Sequence, residues 1–429
     1  MKLVIVNAFG RSNRGDAVLL DECISQLRSV YPDAQIAAAV FEGIPDARAV
    51  HPSVEWSERI GSTKQRNASA KLKTLLYLFF AWIAVFVPRS RFDRFLPADQ
   101  RKTLAAMRNA DIVISAPGGY IHDTNLAYFI ALFHIYLGTA LGKTVVLAPQ
   151  SVGPIEGYFS RWIARRVLSK VPYVCARESY SFDFLTEDLQ LSATRVFRAG
   201  DSAFWNDEVE RNSDLVDREY AKLGIQPSQG VFGMTVVSWT FPRSANAKAA
   251  HEAYVAAVAR IADHISQTYQ LTPIIFNQVS DDLPTAFDVR KAAKHPIIID
   301  GTSRDPSVLR ALIARSAVFL GTRFHSCVFA MMAGRPTFAI AYLPKTEFIM
   351  NDLLLPTRHT PIDSVDVDTV LKKLSSDLDN LPLAEEEIST AMSSYRSRLA
   401  KFNDIMTSWN ASGSLERVGV TKMMRKSFP

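Results

Sequence analysis

Compact apolar runs recur along the chain at 2–8, 111–116, 144–149, 171–176, 231–238, 272–277, 296–300, 317–321 and 337–342. Between them apolar positions fall at helical spacing, as over 247–268, over 306–315, and from Ala17 to Tyr31 behind the first run. Continuous Val/Ile/Ala runs separated by helices are the pattern of parallel strands buried on both faces. The order predicts an α/β protein with two successive, mostly parallel sheets. The pattern is weakest over 206–230, where Asn206-Asp-Glu, a charged helix and Gln226-Pro-Ser-Gln-Gly follow one another. This places an N-terminal domain at 1–205, a linker at 206–230 and a C-terminal domain at 231–365. Asp305 as N-cap and Pro306 at the first helical position start a short helix leading into strand 317–321. The final part, 366–429, reads as helix over 366–410 followed by a basic tail, and is placed to cross back onto the first domain.

One segment departs from this alternation. Residues 72–87, LKTLLYLFFAWIAVFV, are the most apolar stretch, with Lys64, Arg66, Lys71 and Lys73 near one end and Arg89, Arg91 and Arg94 near the other. The stretch is short for a bilayer span of roughly 20 residues. Two readings stay open: a buried helix, or a helix lying in the plane of a membrane with basic flanks at anionic headgroups and Trp82 at the interface. The tail adds Arg417, Lys422, Arg425 and Lys426, a second surface contact or a frayed end.

Composition narrows the class. Hydrophobic residues are 48% and charged residues 21%, which excludes a disordered or fibrous chain. Forty-nine basic against 43 acidic residues give +6, an excess too mild for a dedicated nucleic-acid binder and suited to anionic small substrates or an anionic membrane face. Three widely spaced cysteines, Cys23, Cys175 and Cys327, suggest neither a disulfide framework nor a zinc ribbon, and fit a reducing compartment. The N-terminus reads as a strand rather than a signal peptide. A cytoplasmic protein is expected, at the inner face of the plasma membrane if the apolar segment touches lipid.

Chemistry is expected at strand tips, where open α/β sheets bind ligands. The loop Asn7 to Asp16 follows the first strand and carries Gly10, Arg11, Asn13 and Arg14, so helix-start amides could hold an anion or polar ligand; the glycine spacing is neither GxGxxG nor a P-loop. Ser115-Ala-Pro-Gly118-Gly119-Tyr120-Ile-His122-Asp123 ends another strand in glycines that allow close backbone approach, or forms an ordinary tight turn. Gln150-Ser151-Val-Gly153-Pro154 follows a third. Arg177, before Glu178, is a bidentate anion binder, half of a surface ion pair, or a structural arginine at the sheet edge. The strongest motif is Gly321-Thr-Arg323-Phe-His325-Ser326. In an extended chain Arg323 and His325 share a side, setting a fixed cation beside a group that titrates near neutrality. Lys345 follows the next strand. Arg177, Arg323, Lys345 and His325 converge on an anionic ligand provided the two domains face each other. The pair Asp281-Asp282 reads as a loop or cap, with a substrate contact open. No metal motif, nucleophile elbow or CxxC is present.

The chain resembles the polysaccharide pyruvyl transferase family. The shared residues are Asn13-Arg14-Gly15-Asp16, Gly118-Gly119, Ser151-Val-Gly153-Pro154, Arg177-Glu178-Ser179 with Ser181-Phe-Asp183, Gly200-Asp201 with Ala203, Gly321-Thr322-Arg323 with His325-Ser326, and Ala339-Ile with Tyr342 and Lys345. The resemblance implies a glycosyltransferase-B-like fold of two Rossmann-like halves across a cleft. It implies transfer of pyruvyl from phosphoenolpyruvate to two sugar hydroxyls, giving a cyclic ketal and phosphate, with no cofactor or metal required. Arg177, His325 and Lys345 match the family's essential positions, and Arg323 its Gly-x-Arg-x-His arginine. On this scheme His325 is the acid–base group. Arg323, Arg177 and Lys345, with Ser326 beside them, hold the donor. The saccharide acceptor, lipid-linked or free, lies near Asn13, Asp16, Gly118, Gly119 and His122. Pro117 stands where relatives often carry a third glycine, which stiffens that loop and removes a donor. The rival reading is a nucleotide-sugar glycosyltransferase of the same architecture.

Overall fold

The computed structural model of the chain describes residues 1–11, 14–63, 68–87, 92–123, 127–205, 213–226, 228–302 and 304–412. Asn13, the tail beyond Ser412 and the flanking Lys64, Arg66, Arg89 and Arg91 lie outside them. Two compact units are present: Met1–Trp205 with Ser397–Pro429, and Asn206–Arg396.

The first unit holds strands β1 (Lys2–Ala8), β2 (Gln35–Val40), β3 (Glu55–Glu58), β4 (Ile112–Ser115), β5 (Gly118–Ile121), β6 (Thr144–Val152), β7 (Tyr173–Ala176) and β8 (Val196–Arg198). Their order is β3-β2-β1-β4-β6-β7-β8, with β5 added against β6. Ile5 of β1 lies opposite Ala38 on one side and Ile114 on the other, both in parallel register. Alternation splits β1 between two cores: Leu3 and Ile5 face one cluster, Val4 and Val6 the other. The sheet is therefore covered on both faces, as a parallel sheet must be.

The second unit holds β9 (Val231–Thr235), β10 (Thr272–Phe276), β11 (Ile298–Asp300), β12 (Ser316–Gly321), β13 (Thr337–Ala341) and β14 (His359–Pro361), ordered β11-β10-β9-β12-β13-β14. The helix Ala247–Tyr269 starts at Asn246, whose side chain accepts from the Ala249 amide, and buries Tyr254, Val258, Ile261 and Ile265. Part of the expected linker folds into this unit. Helix Ser213–Lys222 buries Tyr220, whose hydroxyl donates to the Leu312 carbonyl at 2.7 Å. Buried Arg358 makes two bonds to Asp377, at 2.7 and 2.9 Å, and two to Glu387, at 2.7 and 3.3 Å.

The helix Leu381–Ser412 is shared: its residues to Arg396 belong to the second unit and those from Ser397 to the first. Phe402, Ile405 and Met406 join a core of the first unit, where the Tyr31 hydroxyl donates to the Met406 carbonyl. All three cysteines are free and buried, one in each of the helices Arg14–Val30 and Phe324–Met332 and one in β7.

Helix Ala68–Phe86 corrects the buried reading of 72–87. Only Ala70, Ala81 and Ala84 of its apolar stretch Ser69–Phe86 are buried.

Candidate functional site

The second sheet reverses its winding between β9 and β12, and a polar cluster stands on that edge. The β9 tip is Thr235. Its hydroxyl lies 2.7 Å from the Ser326 hydroxyl, and its oxygens take the Thr322 amide at 3.1 and 3.2 Å. Beyond β12 the chain stays extended for Arg323 and then enters the helix Phe324–Met332. Gly321 permits this tight path, since a Cβ there would sit 2.3 Å from the Cys327 sulfur. Burial pushes that thiol up to about 12, leaving it a packing atom.

Arg323 is held from one side by Asp282: Nε donates to Oδ2 at 2.7 Å and Nη2 to Oδ1 at 2.8 Å. Asp282 is itself buried and accepts from the Ser238 amide at 2.9 Å. Burial alone would lower the guanidinium's proton affinity, but the bonds and charge of Asp282 and the neighbouring Tyr342 outweigh it and hold Arg323 above its ordinary value. Its Cζ stands 5.7 Å from the Tyr342 ring centroid, and Tyr342 packs edge-on against Trp239. A fork bound through Nε and Nη2 leaves its Nη1 end for a second oxyanion. Lys345 lies in the first turn of helix Pro344–Asp352, behind the adjacent strand β13. It is half-buried and has no ion-pair partner among the described residues.

Two expectations change here. His325 and Arg323 are not related by strand alternation, because the helix begins between them and puts His325 in its first turn. Ser326 is fully buried, with its hydroxyl bonded to Thr235 and to the Arg323 carbonyl at 2.5 Å, so it shapes the turn instead of facing a ligand.

The first unit carries a separate polar edge. Its winding reverses between β1 and β4. There Asn7, at φ 63°, donates to the Ser115 hydroxyl and the Ala131 carbonyl, each at 3.1 Å, while Gln150 donates to Ser115 at 2.9 Å. Gly118 and Gly119 belong to β5 and not to a turn. A Cβ at Gly118 would strike the Tyr120 ring, whose hydroxyl donates to the Pro117 carbonyl. Asp16, in the first turn of its helix, acts electrostatically on Tyr120, and His122 directly follows β5. Arg177 directly follows β7 and is fully enclosed. Its Nη2 donates to Ser151 at 2.6 Å, and Nε lies 3.4 Å from Glu178 and 3.5 Å from Asp201. Burial raises the Glu178 carboxyl against the pull of Arg177, Ser181 and Ser151. Arg177 is thus a buried ion-paired strand clamp, and two carboxylates meet its charge inside this unit.

Sequence reasoning left Asp282 open, placed the Arg177–Glu178 pair at the surface and did not name Asp201 as a partner; an acid beside a strand-tip arginine was the available signal. Among the described residues no three His, Cys, Asp or Glu side chains gather as metal ligands.

A family model described as polysaccharide pyruvyl transferase matches residues 13–344. The amylovoran biosynthesis protein AmsJ of Erwinia amylovora is 23% identical over 411 residues, covering 92% of this chain and 96% of that protein. Among solved structures, a glycosyltransferase from Rickettsia africae matches with a TM-score of 0.62 at 11% identity, over 96% of this chain and 99% of its own. Anabaena Alr3699/HepE, solved with UDP and glucose, matches with a TM-score of 0.61 at 12% identity, over 96% and 100%. These likenesses establish a glycosyltransferase-B-like fold of two Rossmann-like units.

Proposed function

The chain belongs to the polysaccharide pyruvyl transferase family, and on that premise we propose that it moves the pyruvyl group of phosphoenolpyruvate onto two hydroxyls of a saccharide in exopolysaccharide biosynthesis. The observation that carries the reading is the pair of cations on adjacent strand tips of the second unit: Arg323, oriented by buried Asp282, and half-buried Lys345 without a carboxylate partner among the described residues. A donor bearing a carboxylate and a phosphate on three carbons suits a fixed fork plus a point charge.

In this mechanism His325 delivers a proton to C3 of the donor while a sugar hydroxyl adds to C2 and passes its own proton to the donor phosphate. The C2–O bond to phosphate then breaks, with Arg323 and Lys345 stabilising the departing dianion. A second hydroxyl closes on C2, and its proton leaves with His325 or phosphate. One donor and one diol give one ketal and one phosphate. Thr235 and Ser326 hold the turn that presents Arg323. Arg177, clamped by Glu178 and Asp201, positions the β7 tip beside Gly119, where its Nη2 lies 3.6 Å from the site of a Cβ. Asp16, Gly118, Gly119 and His122 are assigned to the acceptor, which is carried on a lipid in the fullest form of the reading.

The test is phosphate release from phosphoenolpyruvate with a galactose- or glucose-containing lipid-linked acceptor, beside thermal-shift titrations of phosphoenolpyruvate and of nucleotide sugars. His325→Ala should abolish release with the melting temperature preserved. Stabilisation by a nucleotide sugar and none by phosphoenolpyruvate would replace this reading with a glycosyltransferase.

A further inference from the structure

Helix Ala98–Asn109 and three others pack on one face of the first sheet, and the three are Ala68–Phe86, Ala127–Ala140 and Tyr158–Leu168. The first turns Leu72, Leu75, Leu76, Phe79, Trp82 and Phe86 to solvent, with Leu75 63% and Phe79 52% exposed. Their spacing of three and four residues makes one stripe along the helix. Its other side packs on the sheet's core through Tyr77, Leu78, Phe80 and Val85. The third helix exposes Tyr158 at 88% and Phe159 at 64%, with Phe159 stacked on Trp162 at 6.0 Å. Tyr136 of the middle helix touches the first stripe, its ring 6.5 Å from that of Phe86, and stands 6.0 Å from the Lys170 ammonium just past the end of the third helix.

Charge sets the occupant. The three helices carry Lys71, Lys73, Arg161, Arg165 and Arg166 and not one acidic residue. Across 64–94 the sequence has seven basic residues and one acidic, an excess equal to the net +6 of the entire chain. A second copy seated on this face would set like charges against each other. A helix packed against its own sheet cannot be ringed by lipid, so it lies along a membrane instead of spanning one.

We propose that this three-helix face docks on an anionic bilayer, with the Leu75–Phe79–Trp82 stripe and the Phe159–Trp162 pair entering the interface and the lysines and arginines meeting lipid phosphates. The inference goes beyond the transfer chemistry and does not depend on the donor.

Flotation of the full chain with vesicles tests it, using phosphatidylcholine alone and phosphatidylcholine mixed with phosphatidylglycerol. The protein should float with the anionic vesicles, and salt should weaken this. Leu75→Glu/Phe79→Glu/Trp82→Glu alters exposed positions only and should lower partitioning by roughly tenfold or more per residue. Lys71→Glu/Lys73→Glu should lower it by at least about tenfold on anionic vesicles and leave neutral ones little changed. Light scattering and phosphate release with a water-soluble acceptor are read on the same variants. Retained release with lost flotation supports docking and leaves the transferase reading intact. A wild type that stays soluble with both vesicles overturns docking, as does a dimer that the triple variant splits.

Discussion

Asp282 and Arg323 form a unit whose value lies in orientation. Asp282→Asn keeps the shape and removes the charge that holds the fork. We expect kcat/KM for phosphoenolpyruvate to fall roughly 10- to 100-fold, the worth of one or two charge-assisted bonds, mostly as a raised KM. Unchanged steady-state constants would show that Arg323 needs no such support. At Lys345, Ala should raise the donor KM while His325→Ala removes turnover, so the two substitutions separate binding from proton transfer. A different titration belongs to buried His134. Desolvation, aided by the Arg59 charge, lowers it to about 3, against an ordinary value near 6.5. Between these values the unfolded chain takes up a proton that the folded chain refuses, so stability declines as pH drops through that window, by at most about 1.4 kcal/mol per pH unit. Urea midpoints at pH 7 and pH 5 should differ less for His134→Gln than for the wild type; parallel slopes would assign the acid sensitivity elsewhere. The sequence marked Arg177, Arg323, His325 and Lys345 as strand-tip residues, and all four follow strands. It did not reveal that Arg177 is enclosed by Glu178 and Asp201, because which acid reaches an arginine depends on packing across strands distant in sequence.

At the scale of elements, the strand-to-helix turn after β12 is a packing joint. Gly321→Ala drives a methyl into the Cys327 sulfur and should cost about 1–3 kcal/mol. Cys327→Ala clears that space, so the double variant should lose less than the two singles added, and strict additivity in denaturant unfolding would refute the clash. Buried Arg358 ties the turn before β14 to helices Val367–Asp379 and Leu381–Ser412. Arg358→Ala leaves buried Asp377 with only half-buried Lys373, 3.3 Å away, and should cost about 3 kcal/mol. Buried Val/Ile/Ala strands such as β1, β4 and β6 were legible because burial on both faces writes them as unbroken apolar runs. The strands Glu55–Glu58 and His359–Pro361 were not, being short, partly polar and defined by their neighbours. Gly118–Ile121 read as a turn because glycine pairs usually make one; pairing with β6 draws it straight. Helix Ala68–Phe86 showed its hydrophobicity in sequence but not the side on which its cover would lie.

For the molecule as a whole, the division of helix Leu381–Ser412 between two units makes the last described turns part of the first unit's core. Ending the chain at Arg396 removes Phe402, Ile405 and Met406 from beside Ile24, Leu27 and Tyr31. Such a protein should bind a hydrophobic dye and lose several degrees of Tm; an unshifted melt would show that these side chains contribute nothing to that core. The cysteines carry a practical corollary. Cys23, Cys175 and Cys327 are sealed from solvent, and burial holds each thiol at about 12. Folded wild-type protein is therefore a silent background for maleimide chemistry. A single cysteine introduced on any exposed position, the apolar stripe included, takes a fluorophore or spin probe without first stripping the native ones.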